Sequence, residues 1–282
     1  MSGSWRLATG VPDPRIADGV LGYRGFDLDL GRPQRRIELP TGAVTLVVNL
    51  GGTLRITRWG AAGGWQSGAS FVAGQRSVPV LGEHDGTLRG IEINLAPWFC
   101  YAVLGVRMTE LQDRQVELAD LLGTGWSAFE ERLALAPGWP DRFALLDRWL
   151  LGRRAGGPAP APRVLGAWRR LRGAAGAVPV TELAAGVGWS QRHLELRFAE
   201  QIGLSPKAAA RVLRLGRALR MLTAGEPACR TAHSCGYYDQ AHLNRDFRAL
   251  VGGSPGEFLG HRRMPARYLD RLPGAVTSGL LA

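Results

Sequence analysis

Cysteine is scarce in this chain: Cys100, Cys229 and Cys235 are three residues in 282. Three thiols cannot build a disulfide framework, so a reducing, cytoplasmic setting is expected. No apolar run approaches the roughly 20 residues that span a bilayer, and no membrane partner is expected. The opening MSGSWRLATG has no apolar core of the secretion-signal kind. Histidine numbers five, and His84 stands alone before residue 190. Zinc-type ligand spacing is missing, as are P-loop, HExxH and G-x-S-x-G patterns, so neither an enzyme nor a metal or other cofactor is expected. Lysine is nearly absent: Lys207 accompanies 34 arginines.

Acidic residues are also scarce, but in one region. The net charge is +11. Residues 1–160 are almost neutral, whereas residues 161–282 hold 18 basic and 8 acidic side chains. A high-arginine composition explains arginine over lysine, but not acids that thin out after residue 160. The asymmetry points to a polyanion-binding module joined to a neutral one. Nucleic acid is the polyanion that guanidinium forks fit, through phosphates and guanine edges.

The length and a composition break predict two domains. GRRAGGPAPAPR (152–163) reads as a linker rich in Gly, Pro and Ala. Residues 1–151 precede it, 164–262 follow, and 263–282 form a C-terminal tail. In the first part, 42–50, 53–59, 69–74 and 88–95 read as strands, and residues 1–105 as β-rich throughout. From about 108 a helical period is read through Leu111, Val116, Leu118, Trp126, Phe129 and Leu133. Strands followed by helices make an α+β domain. Every sizeable apolar segment after the linker has helical spacing.

That second part contains a repeat. ELAAGVGWSQRHLELRFAEQIGLSP (182–206) aligns with RTAHSCGYYDQAHLNRDFRALVGGSP (230–255). Ala184 and Ala232 stand four residues before Gly188 and Gly236, and Trp189 and Tyr237 follow the glycines. Leu194 with Phe198, and Leu243 with Phe247, take one helix face each. Both copies close in G-x-S-P. The pattern predicts a helix, a glycine turn and a second helix capped by Ser190 or Asp239. The outer face of that second helix is free to enter a major groove. The helix predicted between the copies, 206–222, is about 25 Å long, and successive grooves on one DNA face are about 34 Å apart.

Residues 164–259, and GYYDQAHLNRDFRALVGGSPGEFL (236–259) above all, resemble the DNA-binding domain of the AraC/XylS family of transcription regulators. The resemblance implies a seven-helix domain with two helix-turn-helix units. It also implies an N-terminal cupin-like β-barrel with trailing helices. The expected function is sequence-specific transcription regulation, as an activator in the family pattern. The implied partners are double-stranded DNA, RNA polymerase and either a small-molecule effector or a second copy of the chain.

The candidate base readers are Gln191, Arg192 and Glu195 in the first unit, and Gln240, Asn244 and Arg245 in the second. Where the family often places an arginine in the first unit stands Leu196, with Arg197 next; the second unit keeps Arg245. Ser190, Asp239, Lys207 and Arg211 complete the candidate DNA-binding set, the last two as phosphate contacts or intramolecular partners. Thr231 replaces a usual aliphatic residue.

All three cysteines read as small core residues. Glu83–Asp85 reads as a polar turn, Glu92 as solvent-facing, and Trp59, Trp65 and Trp98 as core, with an aromatic pocket as the alternative. The N-terminal domain is expected to hold a small apolar or aromatic ligand, or none. A repair enzyme carrying a DNA-targeting module is a competing reading, but no cysteine has the Pro-Cys-His-Arg neighbours that such a nucleophile needs. A nucleoid protein without sequence choice is another.

Overall fold

A computed structural model of the protein describes residues 4–262 and 278–281. Its strands are β1 (Ser4–Gly10), β2 (Val20–Asp29), β3 (Gln34–Glu38), β4 (Val44–Gly51), β5 (Leu54–Arg58), β6 (Trp65–Ser67), β7 (Phe71–Ala73), β8 (Val80–His84), β9 (Thr87–Leu95), β10 (Gln115–Glu117) and β11 (Ser278–Leu281). They form two antiparallel sheets, in the orders β1-β2-β9-β4-β7-β10 and β11-β3-β8-β5-β6. Neither order closes on itself. The expected cupin-like barrel is therefore realised as two facing sheets. Residues 278–281 of the expected tail are strand β11 against β3; the rest of that tail lies outside the described residues.

The alternation of β4 shows how the layers divide. Val44, Leu46 and Val48 are fully buried and join Ile91, Ile93 and Leu95 of β9 in the main core. Thr45, Val47 and Asn49 point the other way, into a space between the sheets. Period-two alternation thus gives the larger sheet two buried faces, one under helices and one over the second sheet.

The helices are α1 (Pro97–Leu104), α2 (Leu118–Leu122), α3 (Thr124–Leu135), α4 (Trp139–Gly156), α5 (Pro162–Gly173), α6 (Val180–Gly186), α7 (Gln191–Ile202), α8 (Pro206–Thr223), α9 (Ala228–Ser234), α10 (Gln240–Val251) and α11 (Pro255–Arg262). Helix α1 falls where strands were expected. Pro97 starts it, and Gly105 ends it at φ 71°. All its residues but Tyr101 are buried, so no polar face marks a period. The helical stripe expected from 108 is also broken. Met108–Glu110 is one 3-10 turn, Asp113 reverses the chain at φ 54°, and Val116 belongs to β10.

The expected linker is mostly helix. Helix α4 runs to Gly156 and α5 begins at Pro162. The joint is wedged rather than loose: a Cβ on Gly157 would lie 1.7 Å from the Ala102 carbonyl oxygen. The Arg153 Nε donates to the Val103 carbonyl at 2.9 Å, tying α4 to α1. Buried residues of both halves, from Ile16 to Phe258, form one continuous core.

Thr231 is fully buried in α9, and its hydroxyl has no hydrogen-bond partner among the described residues. A buried, unpaired hydroxyl costs about 1–3 kcal/mol. Thr231→Val should therefore stabilise the chain by about 1 kcal/mol, measured as a raised urea midpoint at unchanged m-value. A lowered midpoint would mean that the hydroxyl is satisfied.

Candidate nucleic-acid interface

The repeat in the sequence is a repeat of geometry. Helices α6 and α9 have seven residues each, and α7 and α10 have twelve. Gly188 and Gly236 make the two turns at φ 66° and 74°, a conformation that strains any residue with a Cβ. The Trp189 amide donates to the Ala184 carbonyl at 3.0 Å, and the Tyr237 amide to the Ala232 carbonyl at 3.0 Å. Leu194 and Phe198, like Leu243 and Phe247, are fully buried. Gly203 and Gly252 end the second helices at φ 91° and 85°. In the closing G-x-S-P, Ser205 and Ser254 accept from the amides of Ala208 and Glu257 at 3.2 and 3.3 Å.

The candidate residues divide by what their side chains touch. Ser190 and Asp239 cap α7 and α10, accepting from the His193 and His242 amides at 3.3 and 2.6 Å. Gln191 donates to Glu195 at 2.9 Å, one helical turn away. Arg197 pairs with Glu200 at 2.7 Å. The Arg211 Nε and Nη2 both reach the Asp246 carboxylate, at 3.1 and 2.8 Å, joining α8 to α10. Asp246 is buried, so Arg211 is engaged inside the protein, the second of the two roles expected for it. Arg192, Lys207, Gln240 and Arg245 are exposed, and Asn244 is half-buried. Asp246, next to Arg245, is held by Arg211 and leaves Arg245 facing solvent.

Sequence reasoning missed a matching pair of side chains. His193 and His242 set their rings edge-on to Trp189 and Tyr237, with centroids 4.5 and 5.2 Å apart. Arg163 and Arg214 lie over the rings of the same aromatics, at 5.6 and 5.4 Å from their centroids. The His-Leu dipeptide common to both copies was the available signal. Tyr238, 94% exposed in the turn before α10, was also missed, and Leu196 on α7 is 68% exposed. Apolar side chains standing free on the outer faces fit contact with a thymine methyl.

Other expectations are corrected. Cys100 and Cys235 are buried, whereas Cys229 is exposed. Glu83 and His84 end β8, leaving Asp85-Gly86 to make the turn. Glu92 faces the space between the sheets and pairs with Arg24. Burial opposes its ionisation, but Arg24, Arg36 and a 2.8 Å hydrogen bond from Asn94 hold its carboxyl below the usual range. Trp98 is core, Trp65 packs edge-on to Phe71, and Trp59 is partly exposed. Among the described residues no group of His, Cys, Asp and Glu is placed to hold a metal. No helix among them is long and apolar enough to cross a membrane.

The basic half docks on the neutral one through the ends of both second helices. A Cβ on Gly203, at the end of α7, would come 3.1 Å from the Met108 carbonyl oxygen and 3.4 Å from the Gln75 side chain. A Cβ on Gly252, at the end of α10, would strike the Trp59 indole at 2.4 Å. The side chain of Gln201 accepts from the Ala161 amide at 2.8 Å, tying α7 to the segment before α5.

The family described as "Helix-turn-helix domain" matches residues 183–261. No curated protein matches the chain. Among solved structures, the C-terminal domain of AraT, a response regulator from Geobacillus stearothermophilus, is 20% identical. It covers 41% of this chain and 97% of its own, with a TM-score of 0.36. The DNA-binding domain of AdpA, a global transcriptional factor in complex with a target DNA, is 24% identical over 38% of this chain and 99% of its own, with a TM-score of 0.35. ToxT from Vibrio cholerae is 8% identical over 92% of this chain and 98% of its own, with a TM-score of 0.47.

Proposed function

We propose that this chain, whose residues 183–261 are a helix-turn-helix domain, is a sequence-specific transcription regulator of the AraC/XylS type. In this reading α7 and α10 each enter a major groove, in adjacent turns of double-stranded DNA. The observation that carries it is the duplication itself, matched hydrogen bond for hydrogen bond, on the half of the chain that holds nearly all the net positive charge. A helical repeat that binds protein would not need that excess. Helix α8, 18 residues or about 27 Å long, spaces the two units. With the width of the units added, that length suits grooves about 34 Å apart. The other half senses an effector or pairs with a second copy, and RNA polymerase is the further partner.

The roles divide between reading and holding. Arg245, Gln240 and Asn244 on α10, and Arg192 with the linked Gln191 and Glu195 on α7, read base edges. Lys207 meets phosphate. Ser190 and Asp239 hold the helix starts, and their caps leave the helix N-termini facing the backbone.

Selection of randomised DNA by the full chain tests this. Discrete sites with two half-elements about one turn apart are expected; a nucleoid protein would coat DNA without choice. Arg245→Ala should relax base choice at one position and cost about 1–3 kcal/mol there. Lys207→Ala should weaken all sequences alike and lower the salt slope by about one. Unchanged base preferences in Arg245→Ala would make Arg245 a structural residue.

A further inference from the structure

Between the two sheets lies a half-open cavity of about 810 Å³, a size that suits a drug-sized ligand. Its wall is mainly apolar, with Phe26, Leu28, Val47, Ile56, Phe71 and Leu88 among the lining residues. The polar groups in that wall are largely spent on one another. Glu92 pairs with Arg24, and Arg36 with Glu38 at 2.6 Å. Thr45 donates to Asn94 at 3.0 Å, and the Asn49 amide to the carbonyls of Gly52 and Gly68. Arg76 remains. It lines the cavity from the segment between β7 and β8 and has no hydrogen bond or ion pair among the described residues. Removal from water disfavours its charge, and the surrounding carboxylates Glu38, Glu92 and Asp113 only offset part of that. Arg32, also unpaired, sits at the exposed rim.

We propose that this cavity binds a small molecule with a single carboxylate on an apolar body, and that Arg76 takes the carboxylate. The proposal rests on the reading of the β-rich half as a sensor. A guanidinium fork matches a carboxylate with two parallel hydrogen bonds. One guanidinium without a direct ion pair accommodates one negative charge. A dianion would leave a charge facing Glu38 and Glu92. A neutral ligand would leave the half-buried Arg76 guanidinium with less water and no direct partner, which is costly. The neighbour of Arg76 gives occupancy a way out. Gln75 is buried, donates to the Gly42 carbonyl at 3.0 Å and lies against Gly203 at the end of α7. A shift of Arg76 toward a bound acid therefore moves the residue on which the first DNA-reading helix rests.

Titration calorimetry of the full chain with dodecanoate, dodecanol, dodecylamine and 2-naphthoate tests this. We expect one equivalent of dodecanoate or naphthoate to bind, with the alcohol and the amine at least about tenfold weaker. Arg76→Gln should erase the preference for acid over alcohol, and Arg76→Lys should keep part of it. Without ligand, Arg76→Gln should also raise the thermal midpoint by about 2 °C or more, because it removes a partly desolvated charge that has no direct ion pair. Equal binding of acid and alcohol, no binding of either acid, a preference that survives in Arg76→Gln, or a glutamine variant that unfolds would each overturn the proposal. Binding of selected DNA by the same preparations separates the two readings. DNA bound at discrete sites without acid binding overturns the ligand and leaves the regulator standing; acid bound without DNA does the reverse.

Discussion

Between about 50 and 200 mM salt, the affinity of the full chain for its selected DNA should fall by about a thousandfold or more. The expectation comes from counterion release: a protein that neutralises about six phosphates loses roughly 10³ or more across that range. The basic half has the groups to do it. Lys207 and Arg220 on α8, Arg248 on α10, and Arg169 and Arg172 on α5 are exposed, and Arg217 on α8 is half-buried, which makes six cations besides the base readers Arg192 and Arg245. Arg211 is left out because Asp246 holds it, and Arg197 is discounted because Glu200 holds it. Fluorescence anisotropy over a salt series measures the slope. An affinity that stays flat over this range would show that phosphate contacts contribute little, and the charge asymmetry would then have another cause.

Phe247→Ala should cost about 3–5 kcal/mol, the range for a large aromatic truncated in a core. Phe247 is fully buried and meets Phe258 edge-on, with ring centroids 5.8 Å apart. It anchors the inner face of α10, so its loss should disorder the second helix-turn-helix unit and weaken DNA binding together with stability. Arg248→Ala, on the exposed face of the same helix, should change stability by no more than about 0.5 kcal/mol. Denaturant unfolding of both variants separates the two effects. A cost below about 1 kcal/mol for Phe247→Ala would mean that α10 is not held through this residue.

The C-terminal half was legible because its information is local. A glycine in a turn, a Ser or Asp before a helix, and Leu and Phe four residues apart each act within one or two turns of chain, and the repeat states the same rule twice. Ser190 and Asp239 are caps, and Phe198 and Phe247 are core, as their spacing implied. The order of strands followed by helices also survived, although α1 did not stand out, because a helix buried on nearly every side has no polar face to reveal its period.

Pairings between residues distant in sequence were beyond that reach. Glu92 was expected in solvent because alternation in β9 tells that Ile91 and Glu92 lie on opposite faces, not that a second sheet covers the outer one. Arg211 stands 35 residues from Asp246, and nothing in the spacing says that a phosphate candidate is already claimed by a buried carboxylate. The segment rich in Gly and Pro read as a free linker; packing made it a wedged joint, because Gly157 has no Cβ to keep α4 away from α1. Arg76 showed no signal at all in the sequence. Its meaning comes from the cavity around it and from the neighbouring charges that have already found one another, a balance that exists only when two sheets are brought face to face.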